Sequence, residues 1–170
     1  LPGTHVTVFA ITRVRDEADI IGYSLRRMAQ QVDHIIIGEG HSTDGTREII
    51  EDLIAQGYPI TLHDDHALNY EQREVMTQYA REALERGADW VVPYDTDEVW
   101  EGERETIKAT LEALDDAILI APARLLNHTC TTADPDDPDP FARMGYREIE
   151  MLPLPKVAAR THPELYIHHG

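Results

Sequence analysis

Two carboxylates separated by one small residue, Asp95-Thr96-Asp97, close the apolar run Trp90-Val91-Val92-Pro93-Tyr94. Mg²⁺ and similar cations are commonly held by one or two carboxylates together with the phosphate oxygens of a substrate. In an open α/β sheet, ligands bind beyond the carboxyl ends of the strands, and a carboxylate pair that ends a strand stands in that position. Spacing alone is a weak signal, because sixteen Asp residues produce three Asp-x-Asp triplets in this chain. Context separates them. Asp134-Pro135-Asp136 and Asp137-Pro138-Asp139 lie in a proline-broken stretch of turn-forming residues, whereas Asp95 and Asp97 follow a strand-length apolar run.

The elements that must position this pair are legible from hydrophobic period. Residues 5–11 and 34–37 are β-branched, nearly continuous apolar runs, as expected of strands buried on both faces. Between them Ala18, Ile21, Leu25 and Met28 recur at helical spacing. A second helix carries Ile49, Ile50, Leu53 and Ile54 to a stop at Gly57. Strand 59–63 and helix 70–86 then lead to strand 90–94. Alternation of this kind predicts an α/β fold with a mostly parallel central sheet flanked by helices and right-handed crossovers. After Trp100 the pattern loosens: a helix is expected over 103–114, a strand over 117–125, a loop over 127–145, and short strands near 150–158 and 164–168.

Length and composition suit one domain with a hydrophobic core: 170 residues, 42% of them apolar. The net charge of −17 disfavours nucleic acid, whose phosphate backbone demands a basic surface, and anionic lipid. No stretch approaches the roughly 18 apolar residues of a membrane span, and no leader-like segment is visible, so a cytoplasmic protein is expected. The single cysteine, Cys130, excludes an internal disulfide and leaves His128-Thr129-Cys130 half a zinc site without its complement.

Three segments together resemble family 2-like glycosyltransferases of the GT-A fold. They are Arg15-Asp16-Glu17 after the first strand, Ser42-Thr43-Asp44-Gly45-Thr46 after the second, and Asp95-Thr96-Asp97-Glu98 after the fourth. The likeness covers about residues 5–100 and returns faintly at Lys156-Val157 and His168-His169. Three positions depart from the family pattern: Asp16 stands where Asn is usual, and Glu39 and His41 replace an Asp and a Gly. The resemblance implies a Rossmann-like GT-A domain, with residues 1–100 binding nucleotide and 101–170 facing the acceptor. That second half is short, and continuation beyond Gly170 stays open.

The resemblance also implies roles. A nucleotide-sugar donor, most simply a UDP- or GDP-sugar, leaves negative charge on its diphosphate when the glycosyl bond breaks, and Mn²⁺ or Mg²⁺ stabilises that charge. Asp97 is the expected main metal ligand, Asp95 its partner at metal, water or ribose, and His168 or His169 a further ligand. Thr96 is small enough for close donor packing. Arg15, Glu17, Glu39, Arg73 and Lys156 are expected to contact the nucleotide-sugar, although Glu17 could equally cap a helix and Arg73 sit on a solvated face. Ser42, Thr43 and Asp44 are read as turn and capping residues. Glu148 and Glu150 are the candidates for the base that deprotonates an unidentified hydroxyl acceptor in an inverting transfer. Other readings are a nucleotidyltransferase, disfavoured by the absence of glycine in Thr12–Glu17, and a non-catalytic binding module. An exposed sheet edge would also permit a homodimer.

Overall fold

The computed structural model describes residues 5–66, 72–147 and 155–167. Its centre is a six-stranded sheet built from β1 (Val8–Val14), β2 (His34–Glu39), β3 (Ile60–Asp64), β4 (Trp90–Pro93), β5 (Ile120–Ala123) and a final strand, Lys156–Arg160. A separate pair, β6 (His128–Thr129) and β7 (Tyr146–Arg147), makes the final strand β8. The order across the main sheet is β3-β2-β1-β4-β8-β5. Neighbours β3, β2, β1 and β4 are parallel, and β8 runs antiparallel to both β4 and β5. One strand of six is therefore reversed, and the sheet is mostly parallel as expected.

Helices α1 (Ile21–Met28), α2 (Thr46–Ala55), α3 (Gln72–Glu85), α4 (Ile107–Glu112) and α5 (Pro140–Arg143) follow in chain order. Because successive strand residues face opposite ways, the sheet serves two cores. Val8, Ala10 and Val14 of β1, with Ile35 and Ile37 of β2 and Trp90 and Val92 of β4, pack with Ile21 and Leu25 of α1, Ile50 and Leu53 of α2, and Ile107 and Leu111 of α4. The alternate residues Phe9, Ile11, Ile36 and Val91 pack with Met76, Tyr79, Ala80 and Ala83 of α3. Both faces are covered, which is why these strands read as continuous apolar runs.

Register sets the height of the strand ends. Val14, Glu39 and Asp64 are aligned across β1, β2 and β3, whereas β4 ends at Pro93, opposite Ile11. The chain builds leftward from β1 to β3 and then returns to the other side of β1 as β4. The crevice between β1 and β4 is thus the topological switch point, where sheets of this class bind ligands.

Several boundaries differ from the sequence expectation. The first strand is shifted to Val8–Val14, because its pairing with β2 persists to Glu39. Helix α4 covers only Ile107–Glu112, with Thr106 as its N-cap, its hydroxyl accepting from Ala109 N at 3.0 Å. The expected loop 127–145 contains β6 and the short helix α5, and β7 follows it directly at Tyr146. Residues 164–167 form no strand.

Gly38 is required by packing, since a Cβ there would lie 2.1 Å from the Tyr79 hydroxyl and 3.0 Å from its Cζ. Gly38→Ala is expected to lower stability by about 1–3 kcal/mol, the usual cost of overpacking. Guanidinium midpoints measured in the wild-type and Tyr79→Phe backgrounds check this: the loss should shrink when the hydroxyl is removed, and an equal loss in both would assign it elsewhere.

Candidate functional site

The loops that leave β1 and β2 are stitched together by short polar side chains. Asp16 N donates to Ser42 Oγ at 2.9 Å, and Asp16 Oδ1 accepts from Thr43 N at 2.7 Å. Asp44 accepts from Ala18 N at 2.9 Å and from the Thr46 hydroxyl at 2.6 Å, while Glu17 N donates to Thr46 Oγ1 at 2.8 Å. The bonds from Thr46 and Ala18 hold the Asp44 carboxyl below the usual range. Ser42, Thr43 and Asp44 therefore build the turn as expected and also fix the neighbouring loop, but the N-cap of α2 is Gly45, which has no side-chain cap bond. At two of the departures from the family pattern, Asp16 and His41, the backbone adopts φ of 53° and 57°. Asp, Asn and His enter this left-handed region far more readily than other non-glycine residues.

Glu39 ends β2 with its side chain 1% exposed. Its Oε1 accepts from Ser42 N at 2.5 Å and its Oε2 from Arg47 at 2.9 Å. Burial works to raise its carboxyl, but the bonds from Ser42 and Arg47 outweigh burial and hold it below the ordinary value. Arg47 also reaches Asp64 at 2.8 Å and Glu51 at 3.0 Å, tying α2 to the ends of β2 and β3. On the opposite face of the sheet Arg13 pairs with the buried Asp65. Arg47 and Asp65 were not legible as partners, because each draws its contacts from a different strand.

At the switch point the loops after β1 and β4 meet. Thr96 is 3% exposed, and its hydroxyl donates to the Glu17 carboxylate. Burial, and then the charges of Asp97, Asp19, Asp95 and Asp44, push the Glu17 carboxyl up to about 7. Glu17 is not the helix cap the sequence also allowed, since α1 has Ile20 as its N-cap and no side-chain cap bond; its side chain instead spans the crevice to the Asp95-Thr96-Asp97 turn. Asp95 and Asp97 themselves are exposed. Lys156 joins the group from β8, its Nζ 2.8 Å from Asp95 and 3.2 Å from Glu98. The reversal of β8 explains the meeting, since an antiparallel strand begins at the end of the sheet where β4 finishes. Burial opposes its charge, but Asp95 and Glu98 raise the Lys156 pKa above the ordinary value. Glu98, quoted in the motif without a role, also accepts from Trp100 Nε1 at 3.0 Å and Asp95 N at 3.3 Å.

The structure therefore gathers Glu17, Asp95, Thr96, Asp97 and Lys156. Arg15 is exposed, packs beside Gly40 and lies 3.6 Å from Asp16. Arg73 is exposed on the first turn of α3, with no partner among the described residues. Glu148, Glu150, His168 and His169 lie outside the described residues. Among the described residues no three His, Cys, Asp or Glu side chains are grouped to enclose a metal ion. The carboxylate charge that lifts Glu17 nevertheless suits a cation that takes one or two carboxylates and completes its shell with phosphate and water. An open concavity of about 460 Å³ lined by Ala29, Gln56 and Tyr58 lies elsewhere, where α1 and α2 end.

Among solved structures the chain is similar to a mannosyltransferase from Pyrobaculum calidifontis in complex with GDP-Man and Mn²⁺. The TM-score is 0.59 at 20% identity, covering 72% of this chain and 36% of that one. It is also similar to 4-diphosphocytidyl-2C-methyl-D-erythritol synthase from Anaerococcus prevotii, with a TM-score of 0.53 at 15% identity over 92% of this chain and 71% of that one. No family model and no curated protein matches the sequence. These likenesses establish a GT-A-like α/β fold, and the chain spans about a third of the length of the mannosyltransferase.

The raised Glu17 carboxyl predicts a pH signature. Below pH 4.5 the group is protonated folded and unfolded alike; as pH rises from 4.5 to about 7 the unfolded chain loses the proton first, so folded stability falls. Glu17→Gln removes that fall. In EDTA the variant should exceed wild type by about 1 kcal/mol at pH 8, after allowance for solvent screening, and match it near pH 4. Urea melts at both pH values check this, and a gain that is the same at each would refute it.

Proposed function

We propose that the chain is a metal-dependent glycosyltransferase that moves a sugar from a nucleoside diphosphate donor to a hydroxyl acceptor with inversion. The observation that carries this reading is the convergence of Glu17, Asp95, Thr96, Asp97 and Lys156 at the β1–β4 switch point. The likeness to a mannosyltransferase in complex with GDP-Man and Mn²⁺ supports it. A GDP- or UDP-sugar is the donor that this reading expects first.

In this reading Asp97, with Asp95, holds Mn²⁺ or Mg²⁺. Such an ion supplies Lewis-acid stabilisation of the departing diphosphate. The protein's own groups prepare the site around it. Thr96 ties the Asp95–Asp97 turn to Glu17, so the turn is held in place before a ligand arrives, and preorganised charge costs no rearrangement during reaction. Lys156 supplies a positive charge beside the carboxylates. Glu39 and Arg47 hold the Ser42 turn in shape, so Glu39 serves the nucleotide through the loop it anchors. Arg15, exposed beside Asp16, and Arg73 on α3 are proposed to reach the donor's base or phosphates. His168 and His169 are proposed as additional metal ligands, and Glu148 or Glu150 as the base that takes the acceptor's proton.

A second reading, nucleotidyl transfer, is favoured by the 92% coverage of this chain in the match to the synthase, whose name states a diphosphocytidyl product. Release of pyrophosphate from a nucleoside triphosphate separates it from sugar transfer, which releases none.

The deciding experiment is calorimetric titration of UDP, GDP, CMP and dTDP into the protein, first with Mn²⁺ and then with EDTA. One nucleotide is expected to bind only with Mn²⁺, and Asp97→Ala should weaken that binding by about a hundredfold or more, as loss of a charged anchor does. Equal binding by Asp97→Ala, or equal binding in EDTA, would overturn the assignment.

A further inference from the structure

Lys156 is held between two carboxylates, its Nζ 2.8 Å from Asp95 Oδ2 and 3.2 Å from Glu98 Oε1. Its side chain is 22% exposed, so the ammonium is drawn in towards the turn. Glu98 is itself fixed, accepting from Trp100 Nε1 and from the backbone N–H of Asp95. Asp95 is consequently anchored twice, through its backbone by Glu98 and through its carboxylate by Lys156. Asp97, two residues on, is exposed and has no hydrogen bond or ion pair with a described residue. The two carboxylates of the motif are therefore unlike: one is compensated by a cation that belongs to the protein, and the other is open to solvent.

We propose that Lys156 is a resident counter-ion that sets the metal affinity of the site, so that a divalent cation must compete with its ammonium for Asp95. The inference rests on the reading of this site as a metal-assisted donor site. The physics is direct. A monovalent and a divalent cation sharing one carboxylate stand only a few ångströms apart, and their repulsion is appreciable at the dielectric of a protein surface. The ammonium also neutralises the carboxylate's attraction for any second cation. Glu98 holds the ammonium from the other side, so its withdrawal gives up two ion pairs, and Asp97 alone remains to receive the metal unopposed. Lys156 thus restrains metal binding until it is drawn away. The same charge, once released, is available to an anionic ligand.

The test is Mn²⁺ binding to the nucleotide-free protein, followed by loss of the electron paramagnetic resonance signal of the free ion. Lys156→Met should bind Mn²⁺ about tenfold more tightly than wild type, since removing a unit charge from beside a divalent ion relieves an interaction of that order. Lys156→Arg, which keeps the charge, should stay near the wild-type value. Lys156→Gln provides a second neutral variant should the methionine not fold, as judged by circular dichroism, and is expected to behave like Lys156→Met. Asp97→Asn should abolish binding in every background. Neutral variants that bind Mn²⁺ no more tightly than wild type, with Asp97→Asn still inactive in binding, overturn the inference and leave the metal site standing. Binding that survives Asp97→Asn, or no binding by any variant, overturns the metal reading itself and the inference with it.

Discussion

The loop leaving β1 and the loop leaving β4 are joined across the switch point by one hydrogen bond, from the buried Thr96 hydroxyl to the Glu17 carboxylate. That bond forms in a place crowded with acid. Glu17 feels the charges of Asp97, Asp19, Asp95 and Asp44, and its carboxyl rises to about 7 because burial and those charges together oppose ionisation. A fold driven by packing alone would not assemble such a group, since each additional carboxylate costs stability unless a donor or cation meets it. The compensations include the Thr96 hydroxyl on Glu17, the Thr46 hydroxyl and the backbone N–H of Ala18 on Asp44, and the Lys156 ammonium on Asp95. Perturbed carboxylates gathered in the crevice of an α/β sheet are what make this place the candidate site.

Rigidity around the crevice comes from side chains too small to do chemistry of their own. Ser42, Thr43 and Thr46 carry no charge, yet they connect the first two loops through bonds to Asp16, Asp44 and Glu17. The buried Glu39 performs a related task one strand away: it receives a backbone N–H from the turn and a guanidinium from α2. Removing one partner from a buried pair leaves an uncompensated charge and is far costlier than the pair's net contribution. Glu39 and Arg47 are therefore better understood together than as separate contacts, and the turn between them inherits their fixed geometry.

The first half of this fold is legible in the sequence because both faces of its strands are covered. Continuous apolar runs at Val8–Ile11, Ile35–Ile37 and Trp90–Val92 mark buried parallel strands, and the helical spacing of Ile21, Leu25 and Met28 fills the intervals. The carboxylate pair is equally legible, since Asp95 and Asp97 interrupt such a run at its end. The second half is less so. β6 and β7 are two residues each, too short for any period, and α5 is a single turn held by its Asp139 cap and by Arg27 at 2.6 Å. Lys156 can be singled out by its rarity, but its partner cannot, because that depends on β8 running against β4. Glu17 illustrates the same point. Its position suggests a helix start, and only the tertiary meeting of two loops turns it towards Thr96.

A carboxyl that is half protonated near neutrality makes this site a proton donor as well as an anion. Any cation that settles among Glu17, Asp95 and Asp97 favours the ionised form, and the displaced proton passes to the surrounding solution. The buffer then becomes a reactant. Under the proposed metal reading, the heat of association would contain the ionisation enthalpy of whichever buffer receives the proton, and it would differ between phosphate and an amine. The apparent strength of that proposed association would then depend on pH through a carboxyl, where a histidine is the usual source of such dependence.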